Sequence, residues 1–193
     1  YSQSFSSFTF LKGRAMVKSA LKNKLHLLSR ATFGITPQDF STLDNISLAT
    51  LQEQIKIKSS KTPASLAVVT SDIASDYRNA AMKSRKQLTP EERRNINREN
   101  VLKLQNLTLQ WMNQMVNGED QLRGKMALFW HGHFACRIGN TYQQQLLLDI
   151  MRKNALENFG DLLREISKSA AMLSFLNNQQ NRKAHPNENF ARE

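Results

Sequence analysis

Residues 89–118, which open Thr89-Pro90-Glu91-Glu92 and close Val116-Asn117-Gly118, decide the fold class. Thr89 is a helix-capping residue, and Pro90 has no amide hydrogen to lose at a first helical position. Glu91 and Glu92 then fall at the positive end of the helix dipole. Leu102, Leu109 and Met112 continue the segment, and no Gly or Pro interrupts it before Gly118. The pattern predicts one long helix ending near Gly118.

Upstream, Val17, Leu21, Leu25 and Leu28 recur at three and four residues, the stripe of a helix that stops at or before Gly34. Thr36-Pro37-Gln38-Asp39 repeats the start signal. Ser47 caps a helix carrying Leu48, Leu51 and Ile55, and the composition of Lys58 to Pro63 is that of a loop. A further helix is expected from Ala64 towards Arg85, although its Val-Val-Thr-Ser content is poor for one. Tyr1 to Leu11 has no helical spacing, so residues 1–13 are expected to be an arm and 14–193 a single helical domain.

Downstream, a second long helix is expected from Glu119 or Asp120 through Phe129-Trp130-His131-Gly132-His133-Phe134-Ala135, with Gly139 its latest stop. Tyr142–Leu156 and Asp161–Leu176 are amphipathic, and Asn177 to Asn181 is a polar connector. His185 or a neighbour caps a last helix that starts at Pro186 and has barely begun when the sequence ends. The expectation is an all-α array of about seven to eight helices, without significant sheet and with its last helix incomplete.

At 193 residues and 40% hydrophobic, the chain is long enough to bury a core. Its seven Gly and four Pro are few, as suits a helical protein. The net charge of +11 raises the question of nucleic acid. The cations come in twos and threes, however, as in Arg93, Arg94 and Arg98, and no nucleic-acid recognition motif is evident, so a solvated basic surface is the expectation. One cysteine, Cys136, excludes a disulfide within these residues and reads as a buried, inert thiol. No apolar stretch approaches the ~20 residues of a membrane span.

Two clusters carry the chemistry. Half of the four histidines fall in His131-Gly132-His133. A helix turns about 100° per residue, so the two imidazoles point roughly 200° apart and share one divalent metal only if Gly132 breaks the helix. Otherwise both are structural, with His133 inward beside Met126, Phe129 and Trp130. A third ligand would come from Glu188, Asp149, His185 or downstream sequence. In the second cluster, Glu188 and Arg192 stand four apart and can pair, as can Asn189 and Glu193. Either this is the start of an amphipathic helix, or Asn187, Glu188 and Arg192 line a polar pocket in which Glu188 or Glu193 is a general base or ligand. There is no Gly-x-Ser-x-Gly elbow, phosphate-binding glycine loop or paired-cysteine spacing.

The chain resembles the bacterial family called domain of unknown function 1800. The likeness rests on His26-Leu27-Leu28-Ser29-Arg30-Ala31-Thr32-Phe33-Gly34, on Lys125 to Ala135, and on Asn181-Arg182-Lys183 with Asn187 to Glu193. The resemblance implies a mainly helical protein longer than this sequence, of which this is the N-terminal part. It implies export to the periplasm, envelope or medium, and a sulfatase- or alkaline-phosphatase-like partner. It supplies no activity and no catalytic residue. The functional expectation is a binding or assembly component. The alternatives are a metal-dependent hydrolase using His131 and His133 with Glu188, Glu193 and Arg192, and a basic nucleic-acid-binding module.

Overall fold

A computed structural model describes residues 19–69, 89–184 and 186–192. Among these residues the secondary structure is helical, with a lone bridge at Arg182 and no β-strand. The chain forms two compact units, Tyr1–Lys61 with Met115–Lys125, and Thr62–Gln114 with Met126–Glu193. The expected arm, residues 1–13, lies outside the described residues.

The first unit begins with helix α1, residues 19–31. Helix α2 (Pro37–Thr42) runs into a 3-10 turn (Leu43–Asn45), and α3 spans Leu48–Ser60. Pro37 is the first residue of α2, and the Ser47 hydroxyl caps α3 by accepting from Thr50 N at 3.0 Å, both as predicted. Helix α3 runs three residues further than its composition suggests, because Lys58–Ser60 contain no breaker before Pro63. Leu28, Leu43 and Leu51 form the small core, with Leu21, Leu25, Ile46 and Ile55 against it.

Long cations close the helix ends of this unit. The buried Arg123 donates from Nε to Ser59 O at 2.9 Å, and Lys125 Nζ reaches Ser29 O and Thr32 O, each at 2.7 Å. Ser59 and Ser29 lie in the last turns of α3 and α1 and Thr32 directly after α1, so a cation there meets carbonyls at the negative end of each helix dipole. Gly124 lets the Phe33 ring approach closely: a Cβ there would stand 3.2 Å from it, so a side chain would make the ring give by a few tenths of an ångström.

In the second unit, α4 (Pro90–Asn117, its residues from Met115 onward belonging to the first unit) starts with a reciprocal cap. Thr89 N donates to Glu92 Oε2 at 2.7 Å, and Glu92 N to Thr89 Oγ1 at 3.2 Å. Helix α5 spans Gln121–His133, α6 Thr141–Lys153, α7 Phe159–Lys168 and α8 Ala170–Phe175. A 3-10 turn (Asn178–Gln180) and the short α9 (Asn189–Arg192) follow. The core is Leu147, Met151, Leu162, Ile166, Ala171 and Met172, from α6, α7 and α8.

Three expectations need correction. The predicted Asp161–Leu176 helix starts two residues earlier and is two helices, because Ser169 is extended and its hydroxyl caps α8 by accepting from Met172 N at 3.2 Å. The last helix begins at Asn189 rather than Pro186, since Asn187 Oδ1 captures Asn189 N at 3.0 Å and acts as its start. Residues 64–69 of the predicted Ala64–Arg85 helix are not helical, and 70–85 lie outside the described residues. There the side chain of Gln145 takes the backbone bonds that a helix would have made. Its Oε1 accepts from Val68 N at 3.0 Å and Val69 N at 2.8 Å, and its Nε2 donates to Val69 O at 3.1 Å.

Candidate functional site

The His-x-His stretch closes α5. Gly132 does not break the helix, because Phe134 N still bonds Trp130 O at 2.8 Å and the helical span runs unbroken to His133. The imidazoles therefore diverge. The His131 ring lies against Trp111, centroids 5.0 Å apart and planes at 58°. The His133 ring meets Phe134 edge-on at 4.8 Å and lies 6.1 Å from Trp130.

Trp130 is the hub of this end of the unit. Its indole N–H donates to Ala155 O at 3.1 Å, fixing the ring. Phe129 packs edge-on against it at 4.9 Å, Phe159 lies tilted at 5.6 Å and Phe134 stacks at 5.9 Å. Phe129 stays 56% exposed and Phe159 50%, so two phenyl groups flanking one fixed indole face solvent. The inward stripe of α5 is Ala127, Trp130 and Phe134, spaced three and four apart, with Ala127 fully buried. The predicted inward phase is corrected by one position: His133 and Phe129 are exposed.

Contact with Trp111 partly desolvates the His131 imidazole and lowers its pKa from the ordinary histidine value, since leaving water disfavours the cation. Cys136 is half-buried rather than buried; it packs against the core, and desolvation raises its thiol pKa, which favours the protonated form.

The C-terminal cluster is held by amides. Asn187 Nδ2 donates to Leu176 O at 2.9 Å and Asn187 N to Asn181 Oδ1 at 2.9 Å, which ties this segment back to the end of α8. Glu188 is exposed, and its carbonyl accepts from Arg192 N at 3.0 Å. The Arg192 guanidinium donates to Asn189 Oδ1 at 2.8 Å, so the neutral amide takes the place of the expected Glu188 carboxylate. Glu193 and His185 lie outside the described residues. Among those described, no three of His, Cys, Asp and Glu are grouped to hold a metal ion, and no hydrogen bond or ion pair joins Glu188 or Arg192 to either histidine.

Asp149, considered above as a third ligand, is already engaged. Its carboxylate accepts from Ser65 Oγ, from Leu66 N at 3.3 Å and from Arg152 Nη1 at 2.9 Å, while Arg152 also holds Ala64 O at 2.9 Å and Gln114 Oε1. With Gln145, these side chains form a polar wall that fastens residues 64–69. The sequence carries a trace of it, since positions 145, 149 and 152 are spaced four and three apart, one helical face that is polar where a core stripe would be apolar.

The described helices contain none long and apolar enough to cross a membrane. The family model described as "Protein of unknown function (DUF1800)" matches residues 26–193. No curated protein and no solved structure matches the chain.

Proposed function

The chain belongs to this DUF1800 family of proteins of unknown function, and we propose that it is an exported binding or assembly component. The partner we propose is a sulfatase- or alkaline-phosphatase-like protein, as the resemblance implies. One observation carries the binding reading: a stretch that carries the resemblance ends in an aromatic platform, with Phe129 and Phe159 exposed beside an indole held by its own hydrogen bond. Rigid aromatic side chains contribute much of the affinity of protein interfaces, and they lose little entropy on contact. A solvent-facing pair around a fixed Trp is suited to that role. A metal site, by contrast, needs convergent donors, and the histidines of this platform turn their rings to aromatic neighbours instead.

Co-purification of the full-length protein with its partner tests the reading. Capture at native expression that is lost in Phe129→Glu with Phe159→Glu supports it. Repeated failure of capture, or capture indifferent to both substitutions, overturns it.

A further inference from the structure

Helix α4 carries a second apolar face, opposite the one that packs. On the packed face Leu107 and Trp111 are buried, Asn100 is bonded to Thr141, and Gln114 to Arg152. At about 100° per residue these four positions fall within roughly 60° of the helix circumference. Val101, Leu102, Leu109 and Met112 occupy an arc of about 100° on the other side. Each of them is more than half exposed, and all lie in the part of α4 that belongs to the second unit. Apolar residues exposed singly are ordinary, whereas a continuous stripe at helical spacing marks a contact surface.

Charge selects what covers this stripe. The chain carries a net charge of +11, and α4 opens with Glu91, Glu92, Arg93, Arg94 and Arg98, but no residue from Leu104 to Gln114 is ionisable. Two copies of so basic a chain repel each other in general, and meet at least cost where neither brings a charge. The polar neighbours of the stripe, Gln105, Asn106 and Thr108, are exposed. Each is both donor and acceptor, so it can pair with its own kind, as the self-complementary contact of a two-fold dimer requires. A charged rim would instead have selected a partner of opposite sign. Arg98 lies on the same face, one turn before Leu102. A parallel pair would set the two Arg98 side by side, whereas an antiparallel pair points the charged ends apart.

We propose that the Val101–Met112 face of α4 is a self-association surface, on which a second copy of this chain docks with its own α4 antiparallel, crossing between Leu102 and Met112. The contact runs about 18 Å along helices roughly 10–12 Å across, less than the roughly 800 Å² per partner of a standard interface. The dimer is therefore weak, with a Kd in the tens of micromolar. It does not involve the aromatic platform and stands apart from the partner proposed there.

Sedimentation equilibrium of the whole chain, at protein concentrations from about 5 to 500 µM, tests it. The expected result is a weight-average mass that climbs from the 22.1 kDa of one copy towards twice that value. In Leu109→Arg the association is weakened at least tenfold, and in Leu102→Arg likewise. Leu109 is 66% exposed, so its substitution leaves the packed face alone, and the second variant decides the matter if the first does not fold. Phe129→Glu associates as the native chain does. Added salt does not weaken the dimer, because the contact holds no ion pair and screening eases the repulsion between copies. A mass of one copy at every concentration overturns the proposal. So does native-like association in either arginine variant, loss of association in Phe129→Glu, or a dimer that salt dissociates.

Discussion

Replacing Gln145 by Met should cost about 2–4 kcal/mol of stability. The change nearly conserves volume and apolar stem, so little cavity or strain is added. What is lost is a set of three hydrogen bonds, to Val68 N, Val69 N and Val69 O, made by a side chain that is only 4% exposed. Val68 is half-buried and its amide can find water, which removes most of that penalty. Val69 is 2% exposed, so its amide and carbonyl stay buried without a partner. A buried group so orphaned costs about 1–3 kcal/mol, and outward movement of the loop to hydrate both would expose Val69 and Leu66 instead. Urea unfolding followed by far-ultraviolet circular dichroism measures the difference. A loss below about 1 kcal/mol, on the scale of one ordinary hydrogen bond, would refute the reasoning, because the loop would then need no clamp.

Three further outcomes follow from the geometry. Because the folded-state pKa of His131 is lowered, the unfolded chain takes up that proton first as pH falls. The corresponding stability is complete above the ordinary histidine value of about 6.5 and declines as pH falls from there through the folded pKa. Urea midpoints at pH 7.5 and 5.0 should therefore differ less in His131→Phe than in the native protein, and an equal difference would show that His131 is not the group responsible. Ser59→Ala should raise stability by about 1 kcal/mol, through relief of a desolvated hydroxyl and the better helix propensity of Ala, and a lower urea midpoint would contradict this. Protein purified without a metal-affinity tag should hold well under a stoichiometric amount of zinc, iron, manganese or copper. A full equivalent that disappears on replacing His131 and His133 by Ala would restore the hydrolase reading.

The helical architecture was legible because its signals are local. Thr89 with Glu92, Pro37 and Ser47 each act within one turn, and Leu21, Leu25 and Leu28 share a face whatever lies opposite. Two errors were local, Ser169 and Asn187 each capping a helix start inside the expected span, whereas the third arose where a distant side chain competes for the backbone. Nothing near Ala64 announces that Gln145 will bond Val68 and Val69, and only the polar face 145–149–152 hints that something polar must lie across from it. The rotational phase of α5 was missed by one position because Phe129, Trp130, His133 and Phe134 are all suited to burial. The divergence of the histidines followed from helical rotation alone once Gly132 stayed helical.

The central claim is that the exposed pair Phe129 and Phe159 is a docking surface. Its most direct test is quantitative capture of the sulfatase- or alkaline-phosphatase-like protein by the full-length chain, native and doubly substituted with Phe129→Glu and Phe159→Glu, the two forms being matched in urea midpoint. The account predicts capture by the native protein and its loss, by more than tenfold, in the variant. Equal capture by both would contradict it.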